Sequence, residues 1–204
     1  MDINAAEQQS NVLFGKLHEI HIEFYKLWLN NLFTWQWWLA LSLIVLPWTF
    51  WFLFRKKEST DRLLYAGFFV MVISSSMDMI GIAMSLWSYP INVFPLPELI
   101  PFDISALAVA TMLLIQFIPT LNPFIKSILF SAFGSFIFLP TISWLGLYNE
   151  MGWKYYYSFP ILIVIYLLAN LIASKNDFVK TDELSVEELE EKIKDHFALL
   201  ASQK

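Results

Sequence analysis

With 204 residues, 57% hydrophobic, 18% aromatic and only 15% charged, the chain is too apolar and too weakly charged for an ordinary soluble domain. A net charge of −5 argues against a nucleic-acid partner, and zero cysteines exclude disulfides, thiolate catalysis and cysteine metal sites together. The length allows one compact membrane bundle and no separate soluble domain of ordinary size.

Residues 1–33 form the first region. They contain Glu7, Lys16, Glu19, Glu23 and Lys26, which interrupt the apolar core that a cleavable signal peptide needs, so the first spanning segment is expected to be retained. From residue 12 to 33, Leu13, Leu17, Ile20, Phe24, Leu27 and Trp28 recur at helical spacing, with Lys16, Glu19, Glu23, Lys26 and Asn30 on the other face. The spacing predicts an amphipathic helix lying in the membrane interface or against the bundle. His18 and His21 fall three apart on it, but no third ligand stands at a matching spacing. No metal and no cofactor is expected.

Residues 34–173 form the second region, an all-α integral membrane bundle of five transmembrane helices. Thr34 to Phe54 carries no ionisable group; Trp35, Trp37 and Trp38 open it, and Trp48 and Trp51 close it, as in interfacial aromatic belts. Arg55, Lys56, Lys57 and Arg62 follow. The stretch from Leu63 to Tyr89 is long enough to cross a hydrocarbon core of roughly 30 Å, yet holds Asp78 well inside. Next comes a connection with Pro90, Pro95, Pro97 and Pro101, which forbids helix and is expected to lie over the outer mouth of the bundle. The third span is expected over 102–118, the fourth over 127–147 and the fifth over 155–173. Arg55, Lys56, Lys57, Arg62, Lys126 and Lys175 then share one side, leaving Lys16, Lys26 and Lys154 on the other. The positive charges place the amino terminus outside and the carboxyl terminus in the cytoplasm.

Residues 174–204 form an acidic tail. Ser185 and Glu188 make a capping box, and Leu189, Ile193, Phe197 and Leu200 continue one apolar stripe. The 185–200 helix is read as a solvated cytoplasmic helix or, as the second reading, a docking helix for a cytoplasmic protein partner.

Asp78 is the main functional clue. Gly67, Ser74, Asp78, Gly81 and Ser85 share one helix face, whose small residues allow another helix to approach closely. A carboxylate at such depth is costly, and no Lys, Arg or His in the spans offers a partner. The expectation is a neutral acid donating to a backbone or serine oxygen; a proton or ligand site, or the lining of a wet pocket, remain the other readings. Asp103 stands in the first turn of the third span, where a cap or dipole role competes with a cluster of Asp103, Glu98 and Glu150 at the outer mouth. Asp78 stands nine residues before Trp87 and so lies about 13 Å deeper at helical rise, which disfavours a direct Asp78–Asp103 pair. Gln116 falls on a different face of the third span from Asp103, with Ser105, Val109 and Met112. Ser127, Ser131 and Ser135 read as close helix packing.

Trp35 to Trp38, Asp78 to Gly81, Trp87, Tyr89 and Pro90, Pro101 to Asp103, and Trp153 to Tyr155 with Ser158, Phe159 and Pro160 carry a resemblance. In these residues the chain resembles an uncharacterised family of small multi-pass membrane proteins of spore-forming Bacillota. The resemblance implies a Gram-positive cell membrane and carries over no catalytic residue. The functional expectation is a non-enzymatic accessory, sensing or structural membrane protein with an outward-facing cavity near Asp78, Trp87, Tyr89 and Asp103; Ser74, Glu98 and Gln116, the last near the cytoplasmic end, are the further candidate ligand- or proton-site residues. The alternative is a small transporter or a lipid-active membrane enzyme using Asp78 as its proton or cation site. Five spans without a visible repeat match inverted-repeat transporters only if a homo-oligomer supplies the second half.

Overall fold

In the computed structural model, residues 3–95, 102–117, 119–175 and 193–194 are described. The chain divides into two units, 1–173 and 174–204. The second contributes only Ser174, Lys175, Ile193 and Lys194 to the described residues, so the capping box and the expected 185–200 helix lie outside them.

Six helices and one two-residue strand pair build the first unit: α1 (Ile3–Asn31), α2 (Trp35–Phe54), α3 (Thr60–Ala83), α4 (Phe102–Phe117), α5 (Pro123–Trp144) and α6 (Tyr155–Ser174). The strands are β1 (Trp87–Ser88) and β2 (Asn149–Glu150). Four helices, α2, α3, α5 and α6, are long and apolar enough to cross a membrane. α4 is shorter, with six π-wound residues followed by ten α-helical ones. The outward faces of the long helices carry exposed Leu46, Phe50, Leu53, Leu129, Phe133, Val164 and Leu171, the surface expected of helices bathed in lipid rather than water.

α1 begins nine residues earlier than the amphipathic pattern suggests, and none of its side chains is buried. It is tied down near its carboxyl end, where Trp28 Nε1 donates to Val93 O at 3.1 Å and Asn31 Nδ2 to Pro90 O at 3.5 Å. Thr34 then caps α2, its Oγ1 accepting from Trp37 N at 3.3 Å.

α2 with α3, and α4 with α5, make two helical hairpins whose turns lie at one end of the bundle. At that end Arg55 covers the rings of Trp51 and Phe52 at 5.3 and 5.2 Å, a cation–π arrangement. Along the hairpins, α3 packs on α4, while α2 packs on the opening turns of α4. Two bonds fix the latter contact: Ser105 Oγ donates to Ile44 O at 2.7 Å and Trp48 Nε1 to Ile104 O at 3.1 Å. Ala66, Val70, Ala108, Ile165, Ala169 and Ala173 form the mid-bundle core of α3, α4 and α6, where small residues permit close approach.

At the opposite end both hairpins finish in the same way. α3 stops at Ala83 rather than continuing to Tyr89: Leu86 N bonds to Gly81 O and Ser85 N to Ile82 O, each at 2.9 Å, and Ser85 takes a left-handed φ of 56°. α5 stops at Trp144 rather than 147 through the equivalent pair, Leu147 N to Ile142 O and Gly146 N to Ser143 O, with Gly146 at φ 78°. Both are Schellman caps. They turn the two chains so that β1 and β2 pair antiparallel, Trp87 opposite Glu150 and Ser88 opposite Asn149. Leu86 O collects the amides of Met151, Gly152 and Trp153 at 3.0 to 3.1 Å, locking the clasp.

Left-handed backbone costs an L-residue roughly 1–2 kcal/mol, a cost absent in glycine. Ser85 is exposed, so its side chain contributes little packing. Ser85→Gly is therefore expected to stabilise the protein by about 1 kcal/mol and Ser85→Val to destabilise it by at least as much. Thermal unfolding in detergent micelles checks this, and equal midpoints for all three proteins would contradict the cap.

Candidate functional site

Beneath the clasp lies a cavity of about 150 Å³, lined by α3, α4, α5, α6 and the two strand segments. Its polar floor comes from α3. Asp78 is buried, and both carboxyl oxygens are held: Trp87 Nε1 donates to Oδ1 at 2.8 Å and Tyr89 Oη to Oδ2 at 3.0 Å. The partners of Asp78 are thus Trp87 and Tyr89 rather than the backbone or serine oxygen expected. An aspartate at midspan costs about 2.5–3.5 kcal/mol on insertion scales. Two hydrogen bonds to a charged acceptor contribute about 1.5–3 kcal/mol each, enough to offset it.

The reach of Trp87 back to Asp78 depends on the end of α3. Had the helix continued, the indole would stand some 13 Å away along the axis. The cap at Ser85 reverses the chain, and the indole folds down over Gly81, where an added Cβ would fall inside the ring. Trp153 meets Trp87 edge to face at 4.9 Å and donates through Nε1 to Ser158 Oγ at 2.9 Å. Tyr89 is flanked by Tyr148 at 5.5 Å and Phe102 at 5.9 Å. Burial first, then the nearby acids Asp78 and Asp103, push the Tyr89 phenol well above its ordinary range, so it remains a proton-bearing donor. Tyr148 is raised for similar reasons, with burial leading and the charge of Asp78 next.

The second acid arrives from α4. The Asp103 carboxyl is a close neighbour of the Asp78 carboxyl and the Ser74 hydroxyl, and all three residues line the cavity. This corrects the depth argument that separated the two acids: it assumed an unbroken α3, and it assigned Asp103 to an ordinary first turn. Residues 102–107 are instead π-wound, and a second π segment, Gly134–Phe138, interrupts α5. Phe102, Asp103 and Leu107 from the first, and Gly134 and Phe138 from the second, all line the cavity. Such wider turns recur at functional sites because they re-aim side chains. Asp103 Oδ2 is fully buried and finds no donor among the described residues.

The structure thus brings Ser74, Asp78, Trp87, Tyr89 and Asp103 to one cavity. Gln116 is elsewhere: at the hairpin-turn end its Nε2 donates to Phe54 O at 2.9 Å and its Oε1 accepts from Lys56 N at 3.0 Å, closing the carboxyl end of α2. Glu98 lies outside the described residues. Glu150 is exposed above the cavity, accepts from Ser143 Oγ at 2.8 Å, and is held below the ordinary range chiefly by the Tyr155 hydroxyl. Ser131 and Ser135 are buried in α5. Tyr148, Trp153 and Ser158 also line the cavity; sequence reasoning did not assign them to it, and their only signal was aromatic and hydroxyl residues next to helix ends. Among the described residues no group of three or more His, Cys, Asp or Glu is placed to hold a metal ion.

No family model, curated protein or solved structure matches this chain.

Trp87→Phe keeps an aromatic ring in place but leaves Asp78 Oδ1 without its donor. It is expected to cost about 1–3 kcal/mol in thermal unfolding. In an Asp78→Asn background the same change should cost less than half as much, since the charged acceptor is already gone. Equal costs in the two backgrounds would show that the bond contributes nothing.

Proposed function

We propose that the protein is a five-span cell-membrane protein with a non-enzymatic sensing or accessory role, which takes a small ligand into an outward-facing acid and aromatic cavity. The observation that carries this reading is the fixed, buried Asp78 carboxyl at the floor of a cavity with aromatic walls. Pockets that pair an apolar lining with a few convergent polar groups are the usual form of a ligand site. α4, although short, is read as the fifth crossing because it too is an apolar helix. Arg55, Lys56, Lys57, Arg62, Lys126 and Lys175 mark the cytoplasmic side, which sets α1 and the clasp outside. The resemblance to membrane proteins of spore-forming Bacillota agrees with a Gram-positive cell membrane.

The transporter reading draws on one specific observation, the closeness of the Asp78 and Asp103 carboxyls. Adjacent carboxyls that cannot both ionise freely are a common way of holding a proton in a membrane. In that reading Asp78→Asn abolishes transport.

The absence of native cysteine makes orientation directly testable. Gly152→Cys, at a position where a Cβ meets open space, is expected to react with a membrane-impermeant maleimide on intact cells. Glu58→Cys, exposed between α2 and α3, should react only after permeabilisation. The reverse pattern would place the cavity on the cytoplasmic side and remove the outward-facing reading.

A further inference from the structure

Hydrogen-bond accounting around the two acids identifies the charge the cavity carries. Asp78 accepts from Trp87 Nε1, a group that can only donate, and from the Tyr89 hydroxyl. Its environment is built for a carboxylate. Asp103 faces the opposite situation. Ser74 already donates its single proton to Val70 O at 2.8 Å. The other close neighbour, Asp78, is itself an acceptor. Asp103 Oδ2 stands buried with no donor among the described residues. A proton on Asp103 resolves the mismatch, giving a neutral acid hydrogen-bonded to a carboxylate. The pair carries one negative charge.

Among the described residues that line the cavity, none is a Lys, Arg or His that would neutralise that charge. Trp87, Tyr89, Tyr148, Phe102, Phe138 and Trp153 surround it with rings, and the rest of the wall is largely hydrocarbon from Met77, Leu107, Ile161 and Ile165. Rings around an acid suit a cation, whose charge they attract through their π faces. Hydrocarbon walls suit an apolar body. The volume, about 150 Å³, is that of an apolar cavity able to hold a benzene-sized molecule. The carboxyl lone pairs left over on Asp78 call for N–H donors, of which a primary ammonium has three.

We propose that the cavity binds a small primary organic ammonium with a benzene-sized apolar body, its charge paired with the Asp78 carboxylate while Asp103 keeps its proton. The proposal rests on the cavity being a ligand site and names the ligand class. It also makes the site an equal exchange of charges: one cation enters, one carboxylate is neutralised and no proton leaves.

The test uses the full-length protein in lipid nanodiscs and titrates benzylammonium, with benzyl alcohol as the neutral analogue of the same shape. Calorimetry is expected to show benzylammonium binding at least about tenfold tighter than benzyl alcohol. Its heat should be independent of the buffer's ionisation enthalpy, because no proton is released. Asp78→Asn is expected to weaken benzylammonium by about 30-fold or more while leaving benzyl alcohol unaffected. Retained benzyl alcohol binding shows that this variant is folded. Asp103→Asn, which keeps a donor and leaves the net charge unchanged, should bind benzylammonium within about threefold of the parent. Equal affinity for the two probes would overturn the cation class and leave the cavity as a ligand site. Binding of neither would remove both readings. One proton released per ammonium bound, or a loss in Asp103→Asn matching that in Asp78→Asn, would overturn the charge assignment. Since the protein is solubilised, none of these results depends on its orientation in the cell.

Discussion

The architecture of the site end depends on keeping a carboxylate, Asp78, stable inside an apolar bundle. Its two donors, Trp87 Nε1 and Tyr89 Oη, come from the chain immediately after the helix that carries it. They reach it only because α3 ends early and the chain reverses. The reversal in turn requires the left-handed residue at Ser85 and a bare surface at Gly81 for the indole to rest on. A single electrostatic requirement thus accounts for a helix terminus, a strained backbone position and a glycine, all within eight residues.

The second hairpin answers the first. α5 ends in the same cap, with Gly146 where α3 has Ser85, and the short antiparallel pairing of β1 with β2 joins the two reversals. The clasp covers the cavity with Trp87, Tyr89, Tyr148 and Trp153 while leaving its floor to the helices. Both π-wound segments face the same space. Wider turns at Phe102–Leu107 and Gly134–Phe138 rotate Asp103 toward Asp78 and open room beside it. Regular α-helix at either place would change which side chains meet in the cavity.

A gradient of polarity runs along the bundle. The middle holds an apolar cluster around Ala66, Val70, Ala108 and Ala169. The hairpin-turn end is basic and closed, with Gln116 satisfying backbone groups at the end of α2. The clasp end gathers hydroxyl, indole and carboxyl groups around space. There Asp103 Oδ2 is a buried acceptor for which the described residues supply no donor.

The sequence by itself determined the class of molecule and the existence of its long helices, because length, apolarity and the absence of charge are local properties that the bilayer reads directly. It also singled out Asp78, Asp103, Trp87 and Tyr89, since an acid in an apolar span and aromatic residues at its end are visible as residue types. Tertiary structure alone decided how they meet. Whether α3 stops at Ala83 or continues to Tyr89 turns on a cap formed by a serine in a conformation that serine disfavours, and propensity points the other way. Whether Asp103 faces Asp78 turns on a π winding with no sequence signature of its own, held by the bonds of Ser105 and Trp48 across to and from α2. Hydrogen bonds between residues nine, eleven and more positions apart exist only after packing has brought their elements together. The spacing of residues along one helix could not supply that geometry.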